Sequence, residues 1–385
     1  MRIAFDAKRA FHNGTGLGHY SRTLIHALAN THPQNEYYLL NPIHASLFSL
    51  KGHNLHEWRP PVFYPKFLSG LWRTKSCVTQ LVQQNVQLYH GLSHEIPLGL
   101  KKKGIASVVT MHDLIFERYP KQYQWTDRKI YRAKFKYALK HADRVIAISE
   151  QTKQDLIEYY QADPAKIRVC YQSCNPAFGE VIEEAEKERI RIKYNLPSHF
   201  LLSVGSIIER KNLLAVCKAM ALQHKEERLP LVVIGNGGDY KKKVKSFLAQ
   251  NGLTQQVIFL SDHPTNKKDP AFLTAKDLPG IYQNAAGLLY PSTFEGFGIP
   301  VLEGLFSRIP VITSDQSCLP EAGGPGAFYV DPYKPEQIAA QLHLISNNKE
   351  MVKQKIEAGW QHAQQFTPLL TASRVMQVYS ELIKQ

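Results

Sequence analysis

The sequence predicts an α/β protein built on parallel sheets, and three observations carry that expectation. Short apolar runs recur along the chain, each only long enough to be a buried strand. Most of them end in glycine or small polar residues and open at once into a helical pattern, in the order strand, turn, helix. At 385 residues the chain has room for two domains of ordinary size. A charged fraction of 21% and an apolar fraction of 44% belong to a globular protein rather than a disordered or fibrous one.

The first half begins with the strand Arg2-Ile-Ala-Phe-Asp6 and the glycine loop Asn13-Gly-Thr-Gly-Leu-Gly18. An amphipathic helix follows from Tyr20 to about Asn30, with Leu24, Ile25 and Leu28 on one side. Glycines between a strand and a helix allow a ligand close to the backbone, although tight turns use them too. Residues 58–82 interleave Pro60, Pro61, Phe63, Tyr64, Phe67, Leu68, Leu71 and Trp72 with Arg59, Lys66, Arg73 and Lys75. Aromatic and basic residues at helical spacing suit a segment lying in a membrane interface. Alternatively, the aromatics pack inward and the cations are their wet face. Val86-Gln-Leu-Tyr-His90-Gly and Ala106-Ser-Val-Val-Thr-Met-His112-Asp113 read as strands with polar ends. In open parallel sheets ligands bind beyond the carboxyl ends of strands, where His90, His112 and Asp113 fall. Residues 121–141, rich in Lys and Arg, form a solvated helix face or the rim of a binding cleft. Ala142 to Ser149 gives another strand, with Ser149 as the N-cap of the next helix.

In the second half, Glu180 to Tyr194 reads as an acidic–basic helix bridging two domains. Phe200-Leu-Leu-Ser-Val-Gly205 is a buried strand, and Ser206-Ile-Ile-Glu-Arg210-Lys211-Asn212 opens a helix. Adjacent cations at such a turn are placed to pair with a diphosphate, each charge-assisted bond contributing roughly 1.5–3 kcal/mol. Leu231 to Gly238 and Val257 to Leu260 are further strands with polar turns, and Pro264 to Lys276 reads as a long loop.

The most specific stretch follows the strand Ala286-Gly-Leu-Leu-Tyr290. It reads Pro291-Ser-Thr-Phe-Glu295-Gly-Phe-Gly-Ile-Pro-Val-Leu-Glu303-Gly-Leu305. Gly296 and Gly298 bracket Phe297, and Ile299-Pro300 starts a helix whose free N–H groups and dipole form a seat for phosphate. Glu295 lies in the loop and Glu303 about one turn into the helix, where a carboxylate can accept from neighbouring hydroxyls such as a ribose diol. Ile309 to Ser314 is the final core strand, and a last helix runs from about Leu369 to Ile383.

No window reaches the roughly eighteen apolar residues of a membrane span, and Met-Arg-Ile-Ala-Phe-Asp lacks the apolar core of a signal peptide. The five cysteines are scattered without a Cys-x-x-Cys pair, which disfavours zinc and disulfide frameworks and suits a reducing, cytoplasmic location. The net charge of +14 is uneven. Residues 1–173 hold 24 Lys and Arg against 12 Asp and Glu, whereas residues 174–385 hold 23 against 21. The basic half points to an anionic partner. No nucleic-acid module is present, so an anionic inner membrane surface, touched through residues 58–82, is the expected one.

Glu295 to Glu303 resembles the Glu-x7-Glu signature of retaining glycosyltransferases of the large family 4 type. The resemblance extends over nearly the whole chain through His112-Asp113-Leu and Gly205-x4-Arg210-Lys211-Asn212. Many relatives carry Arg directly after that glycine, where this chain has Ser206, so Arg210 and Lys211 must supply the charge. The resemblance implies the GT-B fold: two Rossmann-like parallel-sheet domains facing a cleft, with a C-terminal helix crossing back to the first. The corresponding boundaries are 1–175, 176–365 and 366–385. It also implies transfer of a hexose from a nucleotide diphosphate sugar, preferentially GDP-mannose over a UDP-hexose, to a glycan or lipid-linked hydroxyl in polysaccharide synthesis. The assigned catalytic residues are Glu295, His112, Arg210 and Lys211, with His112 meeting the donor hexose. Donor contacts fall to Gly16, Gly18, Gly205, Gly296, Phe297, Gly298, Ile299 and Glu303, and acceptor-side roles to Asp113 and His90. No metal and no cofactor is expected, and no Asp-x-Asp motif is present. The alternatives are a GT-B nucleotide-sugar epimerase, an NAD enzyme, for which the Gly-x-Gly-x-x-Gly order is absent, and a basic nucleic-acid-binding protein.

Overall fold

The computed structural model describes residues 1–45, 47–61 and 64–383. The chain divides into two compact units, Met1–Ser173 with Pro368–Gln385, and Cys174–Thr367.

The first unit holds a seven-stranded sheet in the order β3-β2-β1-β4-β5-β6-β7. Its strands are β1 (Arg2–Asp6), β2 (Glu36–Leu40), β3 (Leu55–Trp58), β4 (Leu88–Gly91), β5 (Ala106–Met111), β6 (Arg144–Ala147) and β7 (Ile167–Val169). Every pairing is parallel. Both faces are covered, as the continuous apolar runs require. Along β1, Ile3 and Phe5 enter one buried cluster while Ala4 enters another, the two-residue alternation of a strand buried on both sides. The helix Pro368–Leu382 belongs to this unit and covers one face with Ala372, Val375, Met376 and Tyr379. Glu381 fastens it by pairing with Arg144 and Arg168, each at 2.9 Å.

Residues 58–82 do not behave as one segment. Trp72, Cys77, Val78 and Leu81 are core residues. Arg73 is half-buried in an ion-pair bridge to Asp6 at 2.5 Å and Glu95 at 2.6 Å. Phe67 is 85% exposed and Leu71 48% exposed, with Lys75 exposed beside them. Phe63 and the Lys66 side chain, which belonged to the expected interface, lie outside the described residues. Among the described residues no helix is long and apolar enough to cross a membrane. All five cysteines are buried thiols.

The second unit holds a six-stranded parallel sheet in the order β10-β9-β8-β11-β12-β13. Its strands are β8 (Leu201–Val204), β9 (Leu231–Ile234), β10 (Val257–Phe259), β11 (Gly287–Tyr290), β12 (Val311–Ser314) and β13 (Phe328–Val330). The expected bridging helix is Glu184–Lys193 and belongs wholly to this unit. It packs on the helix Leu278–Asn284, where Gly280 leaves room for Ile190. The expected long loop 264–276 contains the short helices Asn266–Lys268 and Pro270–Leu273, the latter capped by Asp269.

Strand order reverses between β1 and β4 in one sheet and between β8 and β11 in the other. Loops beyond the carboxyl ends of such neighbours diverge and leave a crevice, the usual place for a ligand in open α/β sheets.

Candidate functional site

In the second unit the residues beyond β8 and β11 converge. Gly205 follows β8 with φ +133°, and Gly235 after β9 has φ +156°. A Cβ on Gly235 would come within 1.8 Å of the Gly205 carbonyl oxygen, and one on Gly237 within 2.2 Å of the Ile207 carbonyl oxygen. The two turns therefore pack backbone against backbone, which only glycine permits. The outer part of the Lys211 side chain runs 3.5–3.8 Å from where a Gly205 Cβ would stand. Asn212, at φ +61°, precedes the helix Leu213–Leu222. Its amide donates to the carbonyls of Pro291 at 3.2 Å and Pro332 at 2.6 Å. The Thr293 amide donates to the Arg210 carbonyl at 2.8 Å, stitching the two loops together.

Beyond β11, Gly298 (φ +121°) stands at the N-cap of the helix Ile299–Phe306, with Pro300 in its first turn. The Glu295–Gly298 loop is held from behind by residues after β12. The Ser317 hydroxyl accepts from the Glu295 amide at 3.1 Å, and the Cys318 thiol donates to the carbonyls of Glu295 and Phe297 at 3.1 and 2.8 Å. Phe297 is buried with its ring centroid 5.5 Å from that of Phe366, and Gly296 is buried while Ile299 is half-buried.

Four side chains form the centre. Glu295, 7% exposed, places Oε2 2.9 Å from Arg210 Nη1 and Oε1 2.7 Å from Lys211 Nζ. The Tyr290 hydroxyl donates to Oε1 at 3.0 Å and also bonds Lys211 Nζ. Arg210 further donates to the Phe294 carbonyl. Burial pushes the Glu295 carboxyl up, but Lys211 and Arg210 outweigh it and hold the group at about 2. Burial lowers the Lys211 ammonium while Glu295 opposes the shift. One carboxylate thus faces two cations, an excess of positive charge close to a helix N-terminus, which is what an incoming phosphate requires. Glu303 differs: it is half-buried, its Oε2 accepts from the Tyr282 hydroxyl at 2.7 Å, and burial pushes its carboxyl up to about 7. Asp262, beyond β10, is engaged by Lys241 at 2.5 Å and Lys245 at 2.8 Å.

In the first unit the loop before the helix Gly16–Thr31 is closed by Asn13, whose Oδ1 accepts from the Thr15 amide at 2.7 Å. A Cβ on Gly18 would overlap the Asn13 carbonyl oxygen at 1.8 Å, so the loop itself demands that glycine. Nothing lies within 4 Å of a Cβ on exposed Gly16. His112 is 3% exposed; Nε2–H donates to the Leu92 carbonyl at 2.8 Å and Nδ1 accepts from the Gln172 amide at 3.1 Å. Burial and the neighbouring His94 press it to about 3, so the ring is neutral. Asp113 Oδ1 accepts from the Ile115 amide at 3.1 Å. His90 is fully buried between the Tyr379 hydroxyl at 2.6 Å and Thr110 Oγ1 at 2.8 Å, a core position within its unit. Ser149 caps the helix Glu150–Tyr160 by accepting from the Thr152 amide. Among the described residues no group of three or more His, Cys, Asp or Glu side chains is placed to hold a metal ion.

Sequence reasoning missed Tyr290, Ser317 and Cys318 around Glu295, and Gln172 beside His112. Asn212 was named in the element with Arg210 and Lys211 but given no role of its own.

Two family profiles cover most of the chain: Glycosyltransferase Family 4 matches residues 14–178, and Glycosyl transferases group 1 matches residues 184–362. The chain is similar to the O-antigen chain mannosyltransferase RfbU of Salmonella typhimurium, 26% identical over 333 residues that make up 83% of this chain and 84% of that protein. It is also similar to the O-antigen chain mannosyltransferase B of Escherichia coli, 26% identical over 66% of this chain and 64% of that protein, so it spans just under two thirds of this second relative. Among solved structures, Anabaena HepE in complex with UDP and glucose shares the fold at a TM-score of 0.72 and 14% identity, over 98% of this chain and 99% of that one.

Proposed function

The chain belongs to the glycosyltransferases, with a Family 4 domain followed by a group 1 domain, and from that premise we propose that it transfers a hexose from a nucleotide diphosphate sugar with retention of anomeric configuration. The observation that carries the proposal is the buried Glu295–Arg210–Lys211 cluster at the β8/β11 switch point. Arg210, Lys211 and the N–H groups at the start of the helix Ile299–Phe306 stabilise charge on the departing diphosphate. Glu295 accepts from hydroxyls of the donor sugar and Glu303 from the ribose. The anomeric carbon–oxygen bond to phosphate breaks, the acceptor oxygen bonds to the same face, and the leaving phosphate takes the acceptor's proton. In this scheme the protein supplies charge and position rather than a general base.

Gly16 and Gly18 bring the first glycine loop close to donor or acceptor, and Asp113 orients the loop after β5. His112 contacts the donor hexose through Nδ1, the nitrogen that Gln172 now occupies. As a neutral ring it acts by hydrogen bonding rather than by charge. The mannosyltransferase relatives favour GDP-mannose, and the UDP-bound neighbour makes a UDP-hexose the second choice. The acceptor is a hydroxyl of a glycan or lipid-linked glycan in cell-surface polysaccharide synthesis, reached from the cytoplasmic side.

Calorimetric titration with GDP, UDP, ADP and NAD tests the site. The expected result is binding of GDP or UDP that falls at least tenfold in Lys211→Ala. Binding of NAD alone, or of none of the four, would overturn the assignment.

A further inference from the structure

Tyr290 has no part in the chemistry just described, yet it touches two of the groups that do. It is the last residue of β11 and 3% exposed. Its hydroxyl takes a hydrogen bond from Lys211 Nζ and gives one to Glu295 Oε1 at 3.0 Å. Nζ stands 4.6 Å from the ring centroid, at the hydroxyl edge of the ring. The Glu295 oxygen it serves is the one that stands 2.7 Å from Lys211 Nζ. The lysine is thus confined between the Gly205 backbone, the Tyr290 phenol and the Glu295 carboxylate.

We infer that Tyr290 is a positioning residue that allows Lys211 to change partner, from Glu295 in the free enzyme to the donor diphosphate, without either charged group losing its place. This rests on the functional proposal above and deepens it.

The physical case is one of alternatives. Without donor, Glu295 occupies both cations and acts as an internal competitor for phosphate. When the diphosphate arrives, Lys211 must loosen its contact with Glu295 while Glu295 becomes available to sugar hydroxyls. During the exchange the ammonium and Glu295 Oε1 would each be left under-bonded, although Arg210 still holds Oε2, and an under-bonded buried charge is costly. The phenol keeps one hydrogen bond to each group throughout. Burial, with Glu295 beside it, keeps the hydroxyl protonated, so it always has a proton to give the carboxylate. Removing only the hydroxyl leaves Glu295 as the principal partner of Lys211, a pair that phosphate must then break alone.

The test is Tyr290→Phe, read by nucleoside diphosphate titration and by steady-state kinetics with the nucleotide sugar. Expected are a three- to tenfold weaker affinity for the diphosphate and an equal rise in donor KM, with kcat within about twofold. A double-mutant cycle separates positioning from mere packing. In the Lys211→Ala background there is no ammonium left to place, so adding Tyr290→Phe should change affinity by less than twofold. An unchanged affinity in the single variant, or the same loss in both backgrounds, would overturn the inference. If Tyr290→Phe is unstable, Tyr290→His in the same cycle replaces it and is judged by the same coupling. Failure of the wild type to bind any nucleoside diphosphate would instead strike the functional proposal itself.

Discussion

The two units place charge in opposite ways. The first half of the sequence carries the large basic surplus, yet the histidines at its strand ends are neutral, buried and hydrogen-bonded within the unit. The second half is almost balanced, yet it buries a carboxylate, a guanidinium and an ammonium together at its switch point. Net charge therefore says little about where chemistry sits. A surface cation is screened and replaceable, whereas a buried one must be matched by another group and responds strongly to whatever replaces its partner.

The contrast is most exposed to refutation at Glu295. Glu295→Ala should cut transfer at least tenfold, measured as initial rates at saturating acceptor. The loss should be constant between about pH 6 and 8, because a carboxyl held at about 2 does not titrate there. Near-normal rates would show that the buried cluster is architecture rather than site. Glu295→Gln keeps the shape and so controls for the cavity, but it leaves the same two cations without a counter-charge, so a Tm for each variant must accompany the rates.

The charged site was legible largely because it is local. Glu295, Gly296, Gly298, Pro300 and Glu303 lie within one strand–loop–helix corner, and Arg210 and Lys211 are adjacent in another. The strands were legible because parallel strands covered on both faces read as uninterrupted apolar runs. What escaped depends on distant residues. Ser317 and Cys318 support the glutamate loop from the following β–α turn, and nothing in their own neighbourhood marks them. Tyr290 at the end of a buried strand reads as core, and it is core as well as partner. His90 sits where the sequence placed it along β4, but the helix carrying Tyr379 covers it from the far end of the chain. Residues 58–82 supported two readings because periodicity says that a helix has faces without saying which is covered. The structure gives Trp72 and Arg73 to the interior and leaves Phe67 and Leu71 outside.

A smaller effect should come from Glu303, the one acidic side chain of the proposed site poised near neutrality. Its carboxyl lies above the usual range because of burial, so the protonated form prevails below about pH 7. A ribose hydroxyl donates better to the carboxylate than to the acid, so donor binding should release a proton. Affinity for the nucleotide sugar, whose diphosphate diester does not itself titrate there, should rise up to about tenfold between pH 6 and 8. Glu303→Gln should give a flat profile. The sign for stability is opposite. A raised folded pKa favours the fold fully below the unfolded value and loses that contribution as pH passes the folded one, so Glu303→Gln should raise Tm at pH 8 but not at pH 4.5. A rising profile that survives in Glu303→Gln would assign the titration elsewhere.

The weakest effect should belong to the exterior of the first unit. Phe67 and Leu71 stand exposed with Lys75, and Leu98, 48% exposed, joins them through the hydrogen bond from its amide to the Thr74 carbonyl at 2.7 Å. Apolar and cationic groups together on an outer surface suit an anionic bilayer, where one basic residue is worth on the order of 1 kcal/mol, about fivefold in partitioning. Lys75→Ala should therefore lower binding to vesicles of mixed neutral and anionic lipid by up to about fivefold, and Phe67→Ser with Leu71→Ser should lower it further. Both sets should leave nucleotide affinity untouched, because none of these side chains takes part in the charged cluster of the other unit. Raised salt should mimic Lys75→Ala and should also weaken the serine variants, which keep Lys75, whereas Lys75→Ala itself should respond least, since only the Coulombic part is screened. Equal vesicle binding by all the variants would mean that the surplus of the first half merely keeps its surface wet. A change in nucleotide affinity would instead break the separation between outer and inner charge from which the comparison began.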